Sequence, residues 1–326
     1  MAELWDLYKR FGNTLEFVKT GQTIERGSRL PDGTFHQVVH VWIKNEIGEY
    51  LISQRSAEKS DPLRWEPTGG SVLAGETSEE AAIREVKEEL GLDLKPGSGS
   101  LRLRGVRFFD DCNDFVDVWQ FTLPYKVIDK NLSLQKEEVN AAVSIRPASI
   151  HFLREQGLWI PWHQFDYLEY MIGNHIIIND ADEKEWKKEI DDLKSAAISL
   201  GAAKLYDLEY KFMQKVYEMT LQSLGKWPEE KMDDHDIRIA EALIDLSYSL
   251  INLGRYYEAE NRVIEALELY DGVYGRGEEK TIYWRLYHAH FCKRRIMIRT
   301  GRKQEVVKER EILKQLKDGV YSVEEN

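Results

Sequence analysis

The apolar positions of the chain change rhythm beyond residues 179–185. Upstream, RGSRLPDGTFHQVVHVWIKNEIGEYLISQRSAEKSDPLRWEPTGG reads as a loop and two strands. VVHVWI and EYLISQR are rich in β-branched and aromatic residues and flank a turn at Asn45 to Gly48, a pattern that predicts a hairpin. In GVRFFDDCNDFVDVWQF, alternation through Phe115, Asp117, Trp119 and Phe121 predicts a strand, and the aromatic residues, Phe108 and Phe109 included, are expected in its core. Between these segments, Thr77 and Glu80 have the spacing of a capping box and Gly91 suits the position just past a helix end. The expected helix has about three to four turns. Ala82, Ile83, Val86 and Leu90 form its buried stripe, while Glu85, Glu88 and Glu89 share a neighbouring face.

Downstream, WHQFDYLEYMIG is expected to close a first domain, residues 1–178, as a helix, and NDADEKE at 179–185 reads as a linker. From 186 to 326 strand signals vanish and helical periodicity continues. Aligned glycines in SLG (199–201), NLG (252–254) and RTG (299–301) predict three helix-turn-helix units with a period of about 50 residues. The echo between QSLGKWPEEK and DGVYGRGEEK has the same spacing. In the middle unit Leu243, Leu246, Leu250, Gly254, Tyr256, Ala259 and Ala266 fall at the positions of a tetratricopeptide repeat, which this unit resembles. Such an array offers a surface for a protein partner or for self-association; the other reading is a helical bundle packed on the first domain.

A length of 326 residues agrees with two domains. The formal net charge of −12, with no basic stripe, argues against binding to a nucleic-acid duplex, though a metal ion could still bring a nucleotide to the chain. The N-terminal segment MAELWDLYKRFGN has no signal-peptide pattern, and no apolar run approaches the ~18 residues of a membrane span. A cytoplasmic location is therefore expected, with Cys112 and Cys292 as reduced, buried thiols.

The helix at 77–90 then poses a question of charge. Like charges at i, i+3 and i+4 cost roughly 0.2–0.5 kcal/mol per pair, and carboxylates in the last turns oppose the helix dipole. Glu85, Glu88 and Glu89 work against stability unless a cation neutralises them. The stretch also satisfies G-x5-E-x7-R-E-U-x-E-E-x-G-U, with U aliphatic, at Gly70, Glu76, Arg84, Glu85, Val86, Glu88, Glu89, Gly91 and Leu92. With each of the seven fixed letters at ~7%, chance gives such a match on the order of once in a hundred million positions.

On these residues the chain resembles the Nudix hydrolases over roughly residues 1 to 175. The resemblance implies an α+β fold, a mixed sheet between helices, followed here by the all-α repeat region. It implies an enzyme in which Mg²⁺ or Mn²⁺ assists water in cleaving a small-molecule diphosphate linked to another group. Glu85, Glu88 and Glu89 would be metal ligands, joined by the backbone near Gly69 and Gly70. Arg84 would orient a glutamate, Glu76 would support the loop through hydrogen bonds, and Glu138 in QKEEV would be the further carboxylate acting as base or ligand. The residue types suit this chemistry independently, because hard divalent ions on carboxylate oxygens neutralise a diphosphate without a complete protein cage.

The upstream segment is similar to the branch that includes isopentenyl diphosphate isomerase and its hydrolytic relatives. That likeness places His36 at a metal-binding or substrate position and makes Arg55 and Lys59 a diphosphate clamp, a fork and a point charge. Isomerase chemistry is disfavoured, since the isomerase's cysteine has no counterpart near Trp65 and Ser71 stands where its metal-binding histidine would fall. Hydrolysis is the main expectation, and a non-catalytic nucleotide sensor signalling through the helical array is the alternative from another class.

Overall fold

A computed structural model describes residues 3–161, 164–173, 182–227, 232–275 and 279–324. Contacts divide the chain into two compact units, Met1–His175 and Ile176–Asn326. The linker expected at 179–185 lies partly outside the described residues, as do parts of the two echoing segments.

The first unit is built on nine strands in a mixed sheet: β1 (Leu4–Arg10), β2 (Phe17–Glu25), β3 (Thr34–Lys44), β4 (Tyr50–Arg55), β5 (Trp65–Glu66), β6 (Thr68–Ser71), β7 (Ser100–Arg107), β8 (Asp114–Thr122) and β9 (Val139–Ile145). β3 is central: it runs parallel to β8 and antiparallel to β1, β4 and β6. The expected hairpin is present, with Ile43 opposite Leu51 and Asn45 closing the turn through a hydrogen bond from Glu49 N at 2.9 Å.

Between β6 and β7 lies α1 (Ser78–Leu90). Thr77 caps it, accepting from Glu80 N at 3.3 Å, while the Glu80 carboxylate accepts from Thr77 N at 2.8 Å. Gly91 ends it in the left-handed region at φ 74°. Ala82, Val86 and Leu90 pack on Val39, Val41, Ile43 and Leu51 of the sheet, so the expected stripe is the one that anchors the helix. Removing the cap by Thr77→Ala should lower stability by about 1 kcal/mol. A fall in Tm of about 2–4 °C, read by circular dichroism, is the expected result for a unit of this size.

One expectation about aromatic residues is corrected, while Phe115 and Phe121 are in the core as expected. Phe108 and Phe109 are 53% and 48% exposed, because β7 ends at Arg107 and they belong to the following loop. In β8, Val116 and Val118 are as buried as Phe115 and Phe121, since the strand lies between β3 and β7; the buried Asp117 is held by Arg104. The helix expected at 162–173 shrinks to α4 (Leu168–Ile172); residues 162–163 lie outside the described set. Cys292 is fully buried, but Cys112 is only partly so. Two short helices, α2 (Tyr125–Asn131) and α3 (Pro147–Glu155), complete this unit.

The second unit contains α5 (Glu183–Ala202), α6 (Tyr206–Lys226), α7 (Met232–Asn252), α8 (Tyr256–Gly275), α9 (Glu279–Arg299) and α10 (Lys303–Glu324), three helical hairpins as the repeat predicts. Gly254 and Gly301 turn two of them at φ 76° and 75°. In the first hairpin the glycine does something else. Gly201 is still helical, a side chain there would strike Glu209, and Lys204 makes the turn at φ 62°. Small residues Ala240, Ser247, Ala259 and Ala266 are fully buried where helices pack. Among the described residues no helix is long and apolar enough to cross a membrane.

Candidate active site

The box helix and its flanking loops enclose a polar cavity of about 130 Å³. Its lining brings together Lys59, Gly69, Gly70, Arg84, Glu85, Glu88, Glu89 and Glu138, residues separated by up to 79 positions in sequence. Glu3, Arg26, Ser71, Leu73 and Gln135 complete it.

Local bonds explain the convergence. Gln135 N and Ser133 N donate to Glu89 O and Leu90 O at 3.1 and 2.9 Å, which ties the loop before β9 to the end of α1. Ser56 then fixes the next residues: its hydroxyl donates to Glu137 O at 2.7 Å and its amide to Glu138 O at 2.9 Å. These contacts place Glu138 beside Lys59, whose ammonium lies 2.6 Å from Glu138 Oε2 and 3.5 Å from Glu89 Oε1. The Lys59 loop is shaped by Arg55, which donates to Ser60 O and to Glu66 Oε1 at 2.7 and 2.6 Å.

Arg84 organises the other wall. Its Nε and Nη2 donate to the two oxygens of Glu76 at 2.7 and 3.0 Å, Nη2 also to Ser71 O at 3.0 Å, and Nη1 to Glu85 and Glu88 at 2.9 and 3.0 Å. Glu76 additionally accepts from Leu73 N at 3.0 Å, so it stands behind the cavity and fastens the loop to the helix. Gly69 has to be a glycine, because a Cβ there would strike the Val39 carbonyl oxygen, and a Cβ at Gly70 would displace the Glu85 carboxylate.

Burial governs the electrostatics. It pushes the Glu89 carboxyl up to about 8, with Lys59 pulling the other way and the charges of Glu85, Glu66 and Glu138 adding to the rise. Burial also raises Glu85 against the pull of Arg84. For Lys59 burial alone would lower the ammonium, but Glu89 and Glu138 outweigh it and hold it above its ordinary value.

Two residues expected at the site are elsewhere. His36 is buried in the core, its ring stacked on Trp5 at 4.1 Å and 10°, with Nε2 4.0 Å from Asp114. Asp114 itself is gripped by both arms of Arg107. Burial lowers the imidazole to about 4, so it is neutral at physiological pH. The cause is topological: β3 is paired on both edges here, and its side chain at 36 points under β1 rather than toward α1. Arg55 does not line the cavity either; its donors are used to hold the loop that presents Lys59.

A divalent ion suits the donors present: hard carboxylate oxygens from Glu85, Glu88, Glu89 and Glu138 face one cavity with backbone at Gly69 and Gly70. Among the described residues no three acidic, histidine or cysteine groups are already drawn together as a finished metal cage. Arg84 and Lys59 bind these carboxylates instead and offset part of their charge.

A family profile described as NUDIX domain matches residues 34–178, which contain the whole box. An uncharacterized Nudix hydrolase of Listeria monocytogenes is 41% identical over 145 residues, covering 44% of this chain and 82% of that protein. The chain belongs to the Nudix hydrolase family. An uncharacterized Nudix hydrolase of Listeria innocua is similar at 39% over the same length, covering the same 44% and 82%. Among solved structures, a Deinococcus radiodurans protein aligns over 52% of this chain and 96% of its own, with 22% identity and a TM-score of 0.37. As a Nudix hydrolase the chain is a pyrophosphohydrolase, and the family generally uses divalent ions such as Mg²⁺ or Mn²⁺.

Sequence reasoning misses Glu3 and Arg26 in this cavity and Glu66 beside it. Glu66 carries a faint signal, since it sits between the buried Trp65 and the box loop, and its carboxyl is raised by burial. Glu3 and Arg26 have none, being polar residues just outside the ends of β1 and β2.

Proposed function

We propose that this Nudix hydrolase is a divalent-metal-dependent pyrophosphohydrolase for a nucleoside diphosphate linked to another group, or a related organic diphosphate. The observation that carries this reading is the convergence of Glu85, Glu88, Glu89 and Glu138 with Lys59 on one polar cavity. Glu85, Glu88 and Glu89 would hold the ion, with backbone near Gly69 and Gly70 close by. When bound, the ion supplies positive charge that neutralises phosphate oxygens.

The chain's own residues do the rest. Water attacks one phosphorus, the bridging P–O bond breaks, and the departing phosphate takes the bond's electrons. The water's proton passes to a carboxylate, for which Glu138, beside Lys59, and Glu89 are the two acceptors. Lys59 offers its ammonium to the phosphate once the carboxylates have another cation. Isomerase chemistry has no support from Cys112, which packs against Trp5, Leu7 and Leu30 and has its thiol raised by burial. The tetratricopeptide-like unit serves a protein partner or self-association in this reading.

The test is phosphate release, coupled to a phosphatase or pyrophosphatase, across nucleoside triphosphates, nucleotide sugars, dinucleotides and isoprenoid diphosphates with Mg²⁺ or Mn²⁺. Turnover of one class is expected. Metal binding without cleavage of any diphosphate would sink the proposal.

A further inference from the structure

The charge lining the cavity is unbalanced: Glu3, Glu85, Glu88, Glu89 and Glu138 face Arg26, Lys59 and Arg84. A diphosphate adds further negative charge, and its non-bridging oxygens accept readily from protein cations.

The three cations are not equally available. Arg84 spends all five N–H groups on Glu76, Glu85, Glu88 and Ser71. Lys59 is held by Glu138 and Glu89 and turns to a phosphate only when an ion takes those carboxylates. Arg26 uses only Nη1, which donates to Glu3 at 2.7 Å; among the described residues Nε and Nη2 have no protein partner. The Arg26 and Glu3 side chains are 58% and 47% exposed, and an ion pair so open to water is readily exchanged.

Its backbone, in contrast, is fixed relative to the box. Arg26 N donates to Glu3 O at 2.9 Å at the end of the β1–β2 ladder, where Leu4 pairs with Glu25. The box loop is fastened to the same hairpin, through Ala74 N to Leu4 O at 2.7 Å and Gly75 N to Asp6 Oδ2 at 2.9 Å. A planar guanidinium with two free donors is thus held at the rim of a carboxylate cavity. Glu3 raises the guanidinium above its ordinary value, and the fields of Glu138 and Glu85 also reach it.

We propose that Arg26 is a substrate-binding residue, whose guanidinium leaves Glu3 to take non-bridging phosphate oxygens of the diphosphate. Glu3 is then the counter-ion that keeps it in place between turnovers. This assignment rests on the pyrophosphohydrolase reading above, and it makes the β1–β2 hairpin part of the active site.

The experiment uses the full chain and methylenediphosphonate, whose bridging carbon resists hydrolysis. Its affinity in Mg²⁺ is measured by calorimetry for wild type, Arg26→Ala and Arg26→Lys, and Mn²⁺ affinity is measured separately by electron paramagnetic resonance. Arg26→Ala should weaken the analogue at least tenfold, Arg26→Lys by less, and both should leave Mn²⁺ affinity within twofold. On any diphosphate that wild type cleaves, KM should rise more than kcat falls.

Analogue affinity within twofold of wild type, no analogue binding to wild type, or a parallel loss of Mn²⁺ affinity would each overturn the assignment. The last would mean that Arg26 acts on the carboxylates. If wild type cleaves diphosphates while analogue binding ignores position 26, this inference fails alone; if wild type cleaves none, the functional reading fails whatever the titration gives.

Discussion

Glu89→Gln is expected to abolish most turnover while making the metal-free protein more stable at alkaline pH. The first half follows from its place in the cavity, beside Lys59 and among the carboxylates proposed to hold the ion and take the proton. Loss of a positioned proton acceptor lowers kcat by about 10²–10⁴-fold. The second half follows from linkage. Glu89 is 5% exposed, and burial raises its carboxyl to about 8, against about 4.3 for a glutamate in an unfolded chain. The folded state therefore binds this proton more tightly than the unfolded state does. The stability it contributes is fully present below the unfolded pKa and is lost as pH rises through about 8.

Glutamine cannot ionise, so the variant escapes that loss. Wild type and Glu89→Gln should melt together near pH 4 and diverge up to about pH 8, the variant being higher. At 1.36 kcal/mol per pKa unit the gap has an upper bound on the order of 5 kcal/mol, and relaxation of the site reduces it. Each kcal/mol corresponds to about 2–4 °C in Tm for a unit of this size. Mg²⁺ should reverse the order, because an ion that binds only the folded wild type stabilises it by mass action. Thermal melts at pH 4 and pH 9, with and without Mg²⁺, check all four corners. A variant less stable than wild type at pH 9 without metal would contradict the burial argument.

Such a site is legible in sequence only where its causes are local. Helix α1 is an example: the Thr77 cap, the buried stripe and Gly91 all act within one turn or one face, so its limits and its glutamate face could be read directly. Glu138 depended on a loop guess, since its place is set by Ser56, 82 residues upstream, through the bond to its carbonyl oxygen. Arg26 was beyond reach because its position depends on the β1–β2 hairpin pairing with the box loop, a contact that leaves no period in either segment. His36 shows the converse. Resemblance assigned it chemistry, whereas the pairing of β3 buries it against Trp5. The helical repeat was visible as a spacing, but Lys204, not Gly201, makes the first turn, because Glu209 needs the room that Gly201 leaves.

Arg84→Ala should destabilise the first unit and impair the site together, and Lys should not replace the arginine. Its guanidinium joins the loop before α1 to two separate turns of the helix, through Glu76 and Ser71 on one side and Glu85 and Glu88 on the other. Arg84→Ala leaves Glu85, already raised by burial, beside Glu88 and Glu89 with only Lys59 for compensation. Breaking a fully buried pair costs about 3–5 kcal/mol; this one is partly open, with the Arg84 side chain 22% exposed, so about 2–3 kcal/mol is expected. Arg84→Lys keeps the charge but not the fork, and a single ammonium cannot reach Glu76, Ser71 and Glu85 together. It should recover less than half of the lost stability, and because Glu85 is no longer aimed, activity should fall about 10²-fold or more. The decisive measurement is a double-mutant cycle with Glu76→Gln. If Arg84 acts by clamping the loop through Glu76, the two substitutions should couple by about 0.5–3 kcal/mol in urea unfolding. Additive effects would mean that Arg84 serves only as a diffuse counter-charge, and then Arg84→Lys should be nearly silent.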